Sequence, residues 1–158
     1  FEANIEDVTF GDTKEAGFAS IRVADSMRGS QGGLIENSFG AQMEHECWGK
    51  KAPWCDYSGK VRNHVCGITI MDHPENLGYP SRWHVRDYGL MSANPIGEKD
   101  FLKDKSLDGS YTLKKGEDLN LQYRIFVHAG NATQGNVAEK YLDFVNPPEL
   151  KHLDFPMF

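Results

Sequence analysis

No stretch of the 158 residues approaches about 18 uninterrupted apolar positions, so no helix of this chain can span a bilayer. Basic residues are outnumbered 17 to 23, for a formal net charge of −6, and this balance argues against a nucleic-acid module. Cysteine is scarce. Cys47, Cys55 and Cys66 are an odd count without a Cys-x-x-Cys pair, so neither a zinc ribbon nor a closed disulfide framework follows, and at most one bridge can form within the chain. They read as small buried hydrophobes. The glycines include no phosphate-cradling loop, His45-Glu46 lacks the second His of a zinc-protease helix, and no Gly-x-Ser-x-Gly elbow occurs. No motif calls for a cofactor, and a metal could be held only by residues scattered along the chain. Repeats and low-complexity tracts are also missing.

What is present is a core-forming composition: 39% apolar residues with nine Phe, six Tyr and three Trp, which excludes disorder. A chain of this length buries about 68–70% of its unfolded surface in a single core. Glycine (16) and proline (7) punctuate it throughout, and the apolar residues alternate rather than recurring at three and four. The expectation is an all-β antiparallel sandwich occupying residues 1–158 as one domain. Phe1, Ala3 and Ile5, then Ala19, Ile21 and Val23, read as the strands of one hairpin. His64 to Met71 is apolar on both faces and suits a central strand. Leu119, Leu121, Tyr123, Ile125 and Val127 alternate with polar neighbours as a half-buried strand, with Ser110 to Leu113 as its hairpin partner. One short helix is expected after Gly135-Asn136, with Pro147-Pro148 as its stop. The tail from Leu150 to Phe158 is expected in a surface groove. Phe1 opens the chain without an initiator Met or a leader, so a processed or truncated product is expected.

Side chains that carry chemistry concentrate between Glu44 and Asn94, in segments that read as loops: Trp54-Cys55-Asp56-Tyr57-Ser58-Gly59, Asp72-His73-Pro74 and Trp83-His84-Val85-Arg86-Asp87-Tyr88. If the last is extended, His84, Arg86 and Tyr88 share one face, and Trp83, Val85 and Asp87 the other. His84 could then pass a proton near neutral pH and Arg86 grip a carboxylate, against an equal case for a structural Arg–Asp pair and a backbone-bonded histidine. For His73 the Asp beside it could orient the imidazole, or simply cap a turn. Asp56 and Tyr57 read more readily as turn chemistry, and Lys14 and Glu15 as solvated turn charges. His128 reads equally as a strand-end hydrogen bonder or a ligand. Aromatic faces beside carboxylates and an Arg suit sugars.

Gly11-Asp12-Thr13-Lys14-Glu15, Ile21-Arg22-Val23-Ala24, the run from Trp48 to Gly59, Asp72-His73-Pro74, Trp83 to Gly89 and Asn94-Pro95 together resemble a bacterial family often labelled "methane oxygenase PmoA". A methane monooxygenase subunit of that name is an integral membrane protein, whereas this chain has no span. Members are about twice this length, so the resemblance implies the C-terminal half of a longer protein, with its own N-terminal half as a partner. It also implies export to the periplasm or beyond and a carbohydrate-related role. The segment from Leu113 to His128 looks like the closing strands of galactose mutarotase-like sandwiches, a likeness of fold alone. The resemblance raises Lys14 and Glu15 to site candidates. The catalytic set is then His73, His84, Glu15 and Asp56, and the binding set Arg86, Trp54, Trp83, Tyr57, Lys14 and Asn94. The chemistry expected is acid–base work on a small sugar or glycoside of the mutarotase, lyase or glycoside-cleaving type. The alternative is a non-catalytic sugar-binding or assembly module, which requires an exposed Trp54 or Trp83 and no converging imidazole–carboxylate set; a homo-oligomer is open under either reading.

Overall fold

The computed structural model describes residues 1–148. Among these residues nine strands form three antiparallel sheets: β1 (Val8–Phe10) with β8 (Tyr111–Leu113); β2 (Ala19–Arg22), β7 (Leu90–Asn94) and β6 (Arg82–Val85), in that order; and β3 (Leu34–Asn37), β4 (Trp54–Val61), β5 (His64–Asp72) and β9 (Tyr123–Ala129), in that order. The three- and four-stranded sheets pack face to face. Trp83, Val85, Met91 and Ala93 from one interdigitate with Ile35, Cys55, Tyr57 and Ile70 from the other. The expected β-sandwich is therefore present, and β5 is central, flanked by β4 and β9. The expected helix is α3 (Val137–Val145), entered through Asn136 in the left-handed region and followed by the two prolines.

Two single-turn helices, α1 (Met43–Cys47) and α2 (Glu98–Phe101), lie outside the expectation. Four or five residues are too few to display a period of 3.6. Neither expected hairpin forms. Phe1 to Glu6 is not a strand; β1 begins at Val8 and pairs with β8, whereas β2 pairs with β7 in the other sheet. The segment between β1 and β2 is pinned to β7 and α2, so it crosses between sheets instead of turning back. Likewise β9 pairs with β5 and not with β8, and Leu119 packs with Ala3 and Leu113 in a separate small cluster. Trp54 to Gly59 is the heart of a strand, not a loop: all six residues are buried, because both faces of β4 are covered. The expected tail from Leu150 to Phe158 lies outside the described residues.

Alternation along β9 also runs against expectation. Ile125 and Val127 lie on the sandwich-facing side, in register with Ile70 and Ile68, yet are 48% and 68% exposed. The three-stranded sheet does not reach that edge, while α3 and the turn before it cover the opposite face, burying His128 and half-burying Phe126. Trp83→Ala should therefore cost about 3–5 kcal/mol by emptying the centre of the core, whereas Val127→Thr should stay within about 0.5 kcal/mol. Urea unfolding of the two variants checks both values.

Candidate functional site

On β6 the extended alternation holds. Trp83 and Val85 are wholly buried between the sheets, and the Trp83 indole N–H donates to the Ala52 carbonyl at 2.9 Å. His84, paired with Ser92, must then face the outer side of the three-stranded sheet. There it meets the segment joining β1 to β2. Asn94 donates through Nδ2 to the Thr13 carbonyl at 2.8 Å, and the Asp100 carboxylate accepts the Lys14 backbone N–H at 3.0 Å. These bonds hold Lys14 and Glu15 over the sheet: Lys14 Nζ lies 2.9 Å from Glu15 Oε1, and Glu15 Oε2 lies 3.8 Å from His84 Nδ1.

Arg86 comes from the same side of the chain and sits over the Tyr88 ring at 5.2 Å. Its Nε is 2.7 Å from Glu44 Oε1, an ion-pair contact without hydrogen-bond alignment. Glu44 Oε2 accepts the Asp87 backbone N–H at 2.7 Å, which ties α1 to the turn after β6. The Tyr57 hydroxyl accepts the Gly29 N–H at 2.7 Å and donates to the Asp87 carbonyl at 3.1 Å, supporting that turn from within the core. Trp48, just past α1, and Phe101 of α2 set ring edges against His84, with centroids 6.5 and 6.3 Å away. His84 Nε2 and Trp48 Nε1 are both buried without a partner among the described residues.

The surroundings lower the proton affinity of both titrating groups. Burial pushes the His84 pKa below the ordinary histidine value, helped by Arg86 and Lys14 and opposed by Glu15 and the Lys14 backbone. Its imidazole is therefore neutral at pH 7. Lys14 holds the Glu15 carboxyl below its usual range, and Glu15 in turn raises the Lys14 ammonium. Glu15 is 62% exposed and His84 only 2%, so the carboxylate meets solvent with the imidazole behind it. A cavity of about 560 Å3 lined by Lys99, Asp100, Lys103 and Lys105 opens beside this segment, and one of about 360 Å3 is walled by Phe10, Thr13, Ala16 and Phe18.

Of the sequence candidates, Lys14, Glu15, His84 and Arg86 thus converge, and Asn94 positions the first two without facing outward. Trp83 and Tyr57 are core residues and offer no ring face to a ligand. Trp54, 9% exposed, packs with Met71 and Val137 under α3. His73 lies elsewhere, its ring edge against Phe144 at 5.2 Å and its Nδ1 accepting the Glu75 N–H at 3.3 Å. The adjacent Asp72 is structural: it accepts from Asn76 Nδ2 and the Ser81 N–H, both at 2.7 Å. Asp56 is fully buried on the other sheet, where Oδ1 accepts from Thr69 at 2.6 Å and meets His128 Nε2 at 2.8 Å. Glu44 and Trp48 escaped the sequence reading as site residues. The only signal for Trp48 was its place at the start of the Trp48–Gly59 run, and Glu44 had none.

His128 supplies a sign-definite test of this buried pair. Burial lowers its pKa, but the hydrogen bond and attraction of Asp56 outweigh burial and leave it above the ordinary value. A raised histidine pKa stabilises the fold fully below the unfolded value of about 6.5, and that contribution fades as pH rises through the folded pKa. The stability gap between the parent and His128→Gln should therefore narrow from pH 6 to pH 9 in urea titrations. A gap that widens would contradict the pairing.

No curated protein and no solved structure matches the chain. The sequence model of one family does match, over residues 1–142, under a description of unknown function that carries no methane-oxygenase label. The chain belongs to that family of unknown function, DUF6807.

Proposed function

We propose that the protein is carbohydrate-active and performs acid–base chemistry on a sugar at the Lys14, Glu15, His84 and Arg86 cluster. One observation carries the reading: a buried neutral imidazole, an exposed carboxylate and two cations from segments about 70 residues apart share one outer sheet face. An exposed carboxylate beside a buried neutral imidazole is a pair of proton carriers of the kind acid–base catalysis uses.

Glu15, ionised and exposed, is the group that meets a substrate C–H or hydroxyl proton. His84 stands behind it, able to take that proton or return one as Nδ1 closes from 3.8 Å to bonding distance. The Lys14 ammonium lies where negative charge develops on a substrate oxygen, and Arg86 offers the guanidinium edge that Glu44 does not occupy. The sugar itself, and export from the cytoplasm, rest on the family resemblance. A non-catalytic module would need a Trp platform, and Trp54 and Trp83 are both buried.

A panel of monosaccharides, disaccharides, keto-sugars and uronates is the direct test, first for thermal stabilisation and then for turnover. For any sugar turned over, Glu15→Gln and His84→Gln should each lower kcat by about 10²–10⁴-fold, with the fold retained by circular dichroism. Turnover unchanged in both variants would refute this site. Stabilisation without turnover would favour the binding module.

A further inference from the structure

The cavity of about 560 Å3 beside the Lys14–Glu15 segment is built by α2 and the turn after it, and the proposed chemistry leaves its charge unused. α2 ends in a Schellman motif: the Lys103 N–H donates to the Asp100 carbonyl at 3.4 Å and the Asp104 N–H to the Lys99 carbonyl at 3.1 Å. Lys103 thereby takes a φ of 55°, a left-handed conformation in which glycine is the usual residue. The reversal sets Lys99, Lys103 and Lys105 around one cavity with Asp100.

Acids and bases of this stretch are used unequally. Glu98 is paired with Arg82 at 2.9 Å, and the Asp100 carboxylate accepts the Lys14 backbone N–H at 3.0 Å. Asp104 accepts both the N–H and the hydroxyl of Ser106, and Asp108 accepts the Ser110 N–H at 2.9 Å, with only a minor pull from Lys99. The lysine ion pairs among the described residues are those of Lys14, Lys114 and Lys140, so the three cavity lysines stand unpaired. In a chain of net charge −6, three such ammonium groups around a cavity of ligand size make a local positive field that draws and holds an anion.

The same helix ties this cavity to the Glu15–His84 pair. Of its consecutive residues, Lys99 lines the cavity, Asp100 both lines it and holds Lys14, and Phe101 sets its ring edge against His84 at 6.3 Å. We propose, building on the acid–base reading of Glu15 and His84, that the substrate is an anionic sugar whose carboxylate or sulfate ester is held by Lys99, Lys103 and Lys105. Lysine is a point charge without the forked geometry of arginine, so the cavity selects for charge and not for the shape of the anion.

Galacturonate, galactose 6-sulfate and galactose differ only in the C6 substituent and so separate the two sources of charge. NMR titration of the full chain should give both anions at least about fivefold tighter than galactose, a gap that closes at about 0.5 M salt. Whichever anion binds tighter names the substituent. Lys99→Ala and Lys103→Gly should each weaken the anions about threefold. Lys103→Gly also relieves the left-handed conformation, so binding lost there is not folding lost. Lys60→Ala, an equal charge change on β4, should leave the anions within about twofold. Anions no tighter than galactose, or indifferent to both cavity variants, overturn the proposal. Turnover unchanged in Glu15→Gln would sink the acid–base reading alone, since the lysine variants are read by affinity and not by rate.

Discussion

The packing of Trp83 and Val85 into the core decides where every candidate functional group near β6 can stand. Side chains of a strand point alternately to its two faces, so burying these two forces His84 outward, and Arg86 continues on that side. Slipping β6 by one residue would place the imidazole between the sheets and the indole in solvent. Trp83 also donates its indole N–H to Ala52, which opposes such a slip. The site is thus a consequence of core packing, not an addition to it.

Around His84 the chain supplies three further elements, each tied down by a partly buried polar contact. Asn94 and Asp100 hold the Lys14–Glu15 segment, Glu44 joins α1 to the backbone of Asp87, and Tyr57 braces the same turn from inside. Such bonds confer positional precision more than stability, since a typical hydrogen bond contributes only about 1 kcal/mol net. Sites of proton transfer need that precision because donor and acceptor must approach within a few tenths of an ångström.

Much of this is legible in the sequence wherever period-two alternation meets burial on one side: the parity of Trp83 to Val85, the central strand from His64 and the helix before Pro147 are present as read, whereas Asp87 and Tyr88, read into the same alternation, lie in the turn that follows β6. Pairing was not legible, because β1 and β8, or β2 and β7, are joined by bonds between residues far apart in the chain, and hydrophobic pattern carries no partner identity. Asp56 and Tyr57 read as a turn because Asp, Ser and Gly are turn residues, yet here they sit in a strand covered on both faces. His73 and His84 look alike in sequence and part company only in three dimensions, one against Phe144 and the other beside Glu15.

The central claim is that His84 is a neutral imidazole electrostatically joined to Glu15 and Arg86. NMR titration of the imidazole resonances measures this directly. The account predicts a His84 midpoint below 6.5, lowered further in Glu15→Gln because an attracting carboxylate is removed, and raised in Arg86→Gln because a repelling cation is removed. A midpoint at or above 6.5 that neither substitution moves would contradict it.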